Sequence, residues 1–492
     1  MPAQVDKTYE TKVIPLLSVF DSRYYDGVAD SLALNFIPEV VKTVDGTDLH
    51  MIKRDGAPQV CASVGTDPAR GLFYWADYDR YYVSVLKDIY IYDSNFSLLS
   101  HLVNVFTTTA NKVGFTSFLY QDDSVKVVAT DGTDIVTIDY LHTVSTSAGA
   151  QGAPTIIGTW IPTPLYIDGM ILLAKASSGD CYSSDINDPL TWHSPNFITS
   201  EISPDRVLNI AKINNYFIMV GSNSIEYFYD AGNPTGTPFA RNDTFVKHTG
   251  LLGDTIAQFG NQLFMVGKVT NSMANVFLLE DFKLTPIATP AVRRWLQLGG
   301  NSSTRGFILS HSGHDFYVLV SSGVGCLYYD IQEKLWGKFS WKASTSTFNI
   351  TNALGDTGSF SEGSVFTVSG GNALYQFNSD YSQDGGTSFT NGTNFSCISR
   401  TDPINFGTNN QKTMSSIVIW ADRKSVSGVA TIDVSDDDYV TWPLTRDITL
   451  QHERPNAQQW GRFRNRSFRL TFTQNSPLRV LGLECDINIG VT

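Results

Sequence analysis

Two acidic turns and one histidine pair carry the residue types that do chemistry elsewhere. The turns are Ser183-Ser184-Asp185-Ile186-Asn187-Asp188-Pro189-Leu190-Thr191-Trp192 and Ser435-Asp436-Asp437-Asp438-Tyr439-Val440-Thr441-Trp442. In such a turn an Asp carboxylate caps backbone N–H groups while the Trp packs on the hairpin, which stabilises the turn and performs no reaction. The adjoining carboxylates of Asp436, Asp437 and Asp438 also suit a hard cation such as Ca²⁺, although the spacing of an EF-hand is missing. Among eight histidines the close pair is His311-Ser312-Gly313-His314. Strand residues three apart face opposite sides and Ser-Gly reads as a turn, so a zinc site is not expected there. The chain has no H-E-x-x-H, no G-x-x-x-x-G-K-[ST], no G-x-S-x-G and no dinucleotide fingerprint. No catalytic residue, cofactor or metal ligand is therefore assigned; the missing motifs do not exclude an enzyme whose acids come from separate blades, but they leave none to name.

The basic run Arg462, Arg464, Arg466 and Arg469, with Arg446 and Arg454 nearby, stands out in a chain of net charge −13. If Arg462, Arg464 and Arg466 share one strand they project from the same face, and Arg469 points the other way unless a bulge intervenes. Three uses fit the run: a salt-bridged or solvated strand, a protein contact favoured by Arg at interfaces, or contact with nucleic-acid phosphate. These four arginines are the candidate interface or DNA-facing residues.

The elements that must carry these groups are β-strands. Seven units, at 81–92, 125–140, 165–182, 216–229, 258–279, 316–329 and 365–377, each read as an apolar strand, a tight polar turn and a returning strand. Their spacing of about 45 to 50 residues is that of a four-stranded propeller blade, and stacking is what lets such hairpins bury their apolar faces. The fold predicted is all-β, a six- or seven-bladed β-propeller over 61–385. Residues 1–60, with two Pro-interrupted apolar stretches, read as an N-terminal arm and lead-in. Turn formers between 380 and 395 mark a boundary, after which strands near 415–420, 429–434, 467–473 and 478–489 predict a C-terminal β-sandwich over 390–492. One short helix is expected at 290–298.

Composition agrees with this class. Charged residues are sparse at 17%, aromatics are 12%, and 39 glycines serve many turns. The acidic balance argues against a protein whose whole surface wraps nucleic acid, although a local basic stripe is still allowed. No apolar run approaches the ~18 residues of a membrane span, and residues 1–7 lack the regions of a secretory signal, so an intracellular product is expected. The five scattered cysteines, Cys61, Cys181, Cys326, Cys397 and Cys485, are expected to be buried reduced thiols.

The fourth unit, Phe217-Ile218-Met219-Val220-Gly221-Ser222-Asn223-Ser224-Ile225-Glu226-Tyr227-Phe228-Tyr229, runs on to Phe245-Val246-Lys247-His248-Thr249-Gly250-Leu251-Leu252-Gly253. This resembles the signature of the packaged-DNA stabilisation proteins, the tail hub or nozzle proteins of short-tailed bacteriophages, in which G-S-x-x-I-E-Y-F precedes K-x-G-x-x-G. Here two residues, His248-Thr249, separate Lys247 from Gly250. Ile14-Pro15-Leu16 and Leu34-Asn35-Phe36-Ile37-Pro38-Glu39 are similar to the family's opening. Thr285-Pro286-Ile287-Ala288 is similar to its S-P-I-A, and Arg462–Phe472 with Ser476-Pro477-Leu478 to its closing basic strand and S-P turn.

The resemblance implies a structural, non-enzymatic role in the virion tail, assembled in the host cytoplasm. The expected subunit forms a hexameric tube below the portal and its adaptor, retains packaged double-stranded DNA and serves as the conduit for ejection. Its implied partners are further copies of itself, the portal adaptor protein, and the tail needle and tailspike or fibre proteins, with the N-terminal arm and blade loops as contact candidates. The competing reading is a carbohydrate-binding or glycosidase-like propeller tail protein, suggested by the Asp-box turns also met in sialidases. That chemistry needs two carboxylates flanking a sugar pocket, and no pair stands out. A host-type interaction propeller would carry repeated G-H and W-D signals, which are missing.

Overall fold

The computed structural model describes residues 9–16, 32–43, 46–62, 64–233, 235–299, 303–355, 362–388, 391–422 and 428–490. Each blade grows from a hairpin whose apolar run is too continuous for a surface strand. The strands Tyr216–Gly221 and Met170–Ala174 are buried on both faces almost throughout, because a neighbouring blade lies against each side. Tight turns set their register. Asp168 and Gly169, with φ of 49° and 79°, join Ile167 to Met170, and positive φ at both centres matches the right-handed twist of the strands.

Seven such sheets follow one another around an axis. Blade 1 is built from Gly71–Trp75, Arg80–Val85, Asp88–Asp93 and Leu98–Leu102, and blade 2 from Gly114–Leu119, Val125–Thr130, Ile135–Ile138 and Val144–Thr146. Blade 3 uses Leu165–Ile167, Met170–Ala174, Asp180–Asp185 and Asp188–Thr199; blade 4 uses Val207–Ile213, Tyr216–Gly221, Ile225–Asp230 and Phe239–Lys247. Thr249–Leu251 and Ala257–Phe259 share the inner edge of blade 5, followed by Gln262–Val269, Asn275–Glu280 and Lys283–Pro286. Thr304–His311, His314–Ser321, Gly325–Asp330 and Trp336–Phe339 make blade 6. Ile350–Leu354, Glu362–Val368 and Leu374–Asn378 make blade 7, whose fourth strand is Gln59–Cys61 from the other end of the chain. The inner strands of blades 7 and 1 are neighbours, so the ring closes. The architecture is thus the β-propeller expected, with seven blades. The helix Pro290–Gly299 buries Val292, Trp295 and Leu296 where blade 5 passes to blade 6.

Outside the ring, two further sheets share one core that includes Met51, Phe395, Ile417, Ile432, Trp460, Phe468 and Leu483. One sheet contains Phe36–Thr43, Gly46–Lys53, Arg479–Ile489, Lys412–Ala421 and Asn456–Phe463, with Glu10–Ile14 added along Arg479–Ile489. The other contains Leu32–Leu34, Cys397–Arg400, Ser467–Phe472, Val429–Ser435 and Leu444–Thr449. Leu32–Leu34 also pairs in parallel with Trp336–Phe339 through Leu34 and Lys338, so blade 6 runs without a break into this two-sheet unit.

The described part of residues 1–60 is therefore no free arm. It supplies strands to both sheets and the closing strand of blade 7. Residues 1–8 and 17–31 lie outside the described residues. Four of the cysteines are buried and free, and Cys61 is half-buried. Burial pushes the Cys397 and Cys485 thiols up to about 12, so neither is nucleophilic at neutral pH. Among the described residues no helix is long and apolar enough to cross a membrane.

Candidate functional site

The four arginines do not form one basic face. Arg462 lies opposite Thr413 near the end of Asn456–Phe463 and is exposed. The chain then turns at residues 464 and 465, so the alternation that would align Arg462, Arg464 and Arg466 is broken. Arg464 donates from Nη1 to the Asn409 carbonyl at 2.7 Å. Arg466, 1% exposed, pairs in bidentate fashion with Asp436, Nε and Nη2 each donating at 2.7 Å. Its Nη1 donates to the Trp460 carbonyl at 2.7 Å, and its guanidinium lies 4.3 Å from the centre of the Phe463 ring. Arg469 donates to Asp433 at 2.9 Å and stacks 4.2 Å over Trp442. Two of the candidates are thus committed to partners within the unit, and Arg462 and Arg464 present charge outward.

This division has a measurable result. Arg466→Ala empties a buried site and leaves the Trp460 carbonyl without this donor, while the partly exposed Asp436 can be solvated, so a stability loss of about 1–3 kcal/mol is expected in urea titration. Arg462→Ala is expected to change stability by no more than about 0.5 kcal/mol.

The acidic turns hold themselves together. Asp188 Oδ1 accepts from the Leu190 N–H at 3.0 Å and Oδ2 from the Thr191 hydroxyl at 2.9 Å, over a fully buried Trp192 whose Nε1 donates to the Pro189 carbonyl. Asp437 accepts from the Thr441 N–H at 2.9 Å and from the Ser435 hydroxyl at 2.8 Å. The hydrogen bonds from Thr441 and Ser435 hold its carboxyl below the usual range. Asp436 is occupied by Arg466, which leaves the trio without the convergent oxygens a cation needs. His311 and His314 flank a tight turn but face different surroundings. His311 stacks on Phe377 at 4.2 Å, whereas His314 contacts Asp330 at 2.7 Å. Among the described residues no group of three or more His, Cys, Asp and Glu is placed to hold a metal ion.

The stretch that carries the resemblance joins blades. Glu226, fully buried, accepts from the Ser200 hydroxyl at 2.5 Å and from the N–H groups of Ile202 at 3.0 Å and Glu201 at 3.3 Å, with Arg241 at 3.6 Å. It thereby fastens the passage from blade 3 to blade 4. Asp205 accepts from the N–H groups of Asn223 at 2.6 Å and Ser224 at 3.0 Å, closing the Ser222-Asn223-Ser224 turn. Tyr227 packs against Phe282 at 5.5 Å, which stacks on Phe245 at 4.2 Å; burial pushes the Tyr227 phenol well above its usual value. Gly250 passes so close to blade 4 that a Cβ would stand 1.7 Å from the Ser222 carbonyl oxygen. Ile287 offers its carbonyl to Trp336 Nε1 at 3.0 Å, fixing the exit of blade 5 against blade 6. All of these are packing and capping roles.

A concave feature lies at the mouth of the ring axis, a cavity of about 680 Å³. Arg70, Lys112, Asp254, Arg305 and Asn352 line it, contributed by loops and inner strands far apart in sequence. Lys112 Nζ donates to Asp254 Oδ2 at 2.8 Å, linking the start of blade 2 to blade 5. Lys112, Phe307 and Asn352 also line a narrower cavity of about 340 Å³ beyond it. Arg70 is held under the mouth by the carbonyls of Leu86, Thr108 and Asn111 and by Asp131 at 3.5 Å. Burial pulls its guanidinium below the usual value, and Asp131 works against that. Sequence reasoning missed these residues because no local pattern marks side chains that meet only when the ring closes. The mouth is lined by the cations Arg70, Lys112 and Arg305 and by the carboxylates Asp67 and Asp254, of which Asp254 is held by Lys112.

Residues 161–302 match the family model described as phage stabilisation, bacteriophage P22 Gp10, beta-propeller. No curated protein matches the chain in sequence. Among solved structures, the chain is similar to the Pan2 WD40 domain of Neurospora crassa at 8% identity and a TM-score of 0.44, over 66% of this chain and 96% of that one. It is also similar to virginiamycin B lyase from Staphylococcus aureus at 11% identity and a TM-score of 0.41, over 64% and 97%. The N-terminal domain of Nup159 matches at 10% identity and a TM-score of 0.40, over 71% and 99%. No chemistry passes from these three to this chain. The family match spans blades 3 to 5, the blades that hold Glu226, Tyr227, Gly250 and the Thr285–Ala288 segment. Over residues 161–302 the chain is thus similar to the bacteriophage P22 Gp10 β-propeller family.

Proposed function

We propose that this protein is a tail hub, or nozzle, subunit of a short-tailed phage, a ring component below the portal and adaptor that retains packaged DNA and conducts it at ejection. The family match over residues 161–302 carries this reading. Two properties support it. The residues of the signature stretch fasten blades to one another, as a load-bearing part requires, and the net charge of −13 suits a wall past which DNA slides. The two sheets outside the ring, read as a β-sandwich domain, together with the blade loops, are the surfaces offered to neighbouring copies and to adaptor, needle and spike. A ring of identical subunits uses heterologous contacts, one patch against a different patch, and the proposed copy number is six. Exposed Arg462 and Arg464 are proposed for such a contact or for the lumen.

The test is particle production without this protein. Heads are expected to package DNA and then release it, and supplying the protein in trans is expected to restore DNA-filled, infective particles. Particles that lack the protein yet keep their DNA and infect normally would overturn the proposal, as would sugar release from host polysaccharide at enzymatic rates.

A further inference from the structure

Blade 6 and the two-sheet unit meet along a seam in which acidic and basic side chains alternate. His314 begins the strand His314–Ser321, and its Nδ1 lies 2.7 Å from Asp330 Oδ2 of the same blade. Its Nε2 lies 3.6 Å from Glu39 Oε1, on the strand Phe36–Thr43 of the two-sheet unit. Glu39 is 4.0 Å from Arg479 Nε, and Arg479 in turn reaches Asp422 at 4.0 Å and His50 Nδ1 at 3.0 Å. The order across the seam is therefore carboxylate, imidazole, carboxylate, guanidinium. His314 is the member between two carboxylates, and an imidazole changes charge near neutral pH.

The remaining charged groups around it are engaged elsewhere. His311 stands opposite His314 in the hairpin, with Asp55 3.9 Å from its Nδ1, and Asp55 accepts from the Ser312 hydroxyl at 2.6 Å. Asp315 accepts from the Ser310 hydroxyl at 2.5 Å and from Gln332 at 2.6 Å. Arg54 is paired with Asp384.

We infer that this seam is a proton-controlled joint: charged His314 clasps Asp330 and Glu39 together across it, and neutral His314 releases Glu39. The electrostatics act in this direction. Burial pulls the imidazole down, but the hydrogen bond and charge of Asp330, followed by Glu39, outweigh it and raise its pKa. His311 does the reverse, since burial and then the Arg54 charge hold it well below the usual value, so it stays neutral and does not oppose the clasp. A group with a raised folded pKa stabilises fully below its unfolded value of about 6.5, and that contribution is lost as pH rises through the folded pKa. Opening is local, because the pairing of Leu34 with Lys338 and the Arg54–Asp384 pair remain in place.

The test uses the full chain. Hydrogen exchange of residues 36–53 is followed from pH 6 to pH 9, corrected for intrinsic rates, beside an NMR titration of His314. Protection is expected to fall as the imidazole deprotonates, by about tenfold for each unit by which its midpoint exceeds 6.5. Glu39→Gln, at a partly exposed position that tolerates the change, is expected to lower the midpoint and shrink the step; His314→Gln is expected to abolish it. Protection that stays constant across the range in the unaltered protein, or an undiminished step in Glu39→Gln, would overturn the joint.

Discussion

Asp384→Ala is expected to lower stability by about 3–5 kcal/mol, because it strands a buried guanidinium. Arg54 and Asp384 are paired with neither side chain exposed, at 2.6 Å between Nη2 and Oδ2 and 2.9 Å between Nη1 and Oδ1. Arg54 also donates to the Ser340 carbonyl at 2.9 Å and to Asn35 Oδ1 at 3.0 Å, and its guanidinium lies 3.7 Å from the centre of the Phe395 ring. Asp384 accepts the Lys342 N–H at 2.9 Å and the Ala57 N–H at 3.3 Å, so its removal orphans two backbone donors as well. The pair ties blades 6 and 7 to the two-sheet unit. Urea denaturation followed by Trp fluorescence should show the loss for either single substitution. The double variant Arg54→Met with Asp384→Leu should recover only the part due to the stranded charge, since the Lys342 and Ala57 N–H groups and the Ser340 carbonyl stay without these partners.

Gly250→Ala is expected to cost more than about 3 kcal/mol, at the upper end of overpacking effects. The added methyl would stand 1.7 Å from the Ser222 oxygen and 2.2 Å from its carbonyl carbon, and both are backbone atoms that no rotamer change can move. The strand Thr249–Leu251 must then leave blade 4. Thermal melting should show a large drop, and limited proteolysis should place new cleavage near 221–224 and 248–252. Gly371→Ala is the control, for its nearest neighbours lie at 3.8 Å, and it should stay within about 0.5 kcal/mol of the unaltered protein.

How far sequence carried the structure depended on where each strand sits. The middle strands of every blade were legible because burial on both faces makes them continuous apolar runs, as in Met170–Ala174 and His314–Ser321. Outer strands such as Leu98–Leu102 and Lys283–Pro286 face solvent on one side and lack that signal. Pro38 made Phe36–Thr43 read as broken, yet that strand is at a sheet edge, where a missing N–H removes no ladder bond. Period-two alternation was projected from Arg462 through Arg466 across what is a turn, so the expected basic face dissolved. Asp384 sat within residues chosen as a boundary for their turn formers. Its partner Arg54 is 330 positions away, beyond any local pattern. The signature residues were found as a string, and only the coordinates showed that Glu226 and Gly250 answer to neighbouring blades.

The strand that closes blade 7 has a consequence for synthesis. Gln59–Cys61 is made early and pairs with Leu374 and Tyr375, and Glu10–Ile14 pairs with residues 483–487. At about 5–20 residues per second, some 15 to 60 s pass between translation of residue 61 and residue 374. During that interval the nascent ring is an open arc with unpaired edges at both ends, the state most exposed to aggregation and most dependent on chaperones. A chain halted on the ribosome before residue 374 cannot shut its ring, so a prematurely terminated product is kept from the closed fold by geometry alone.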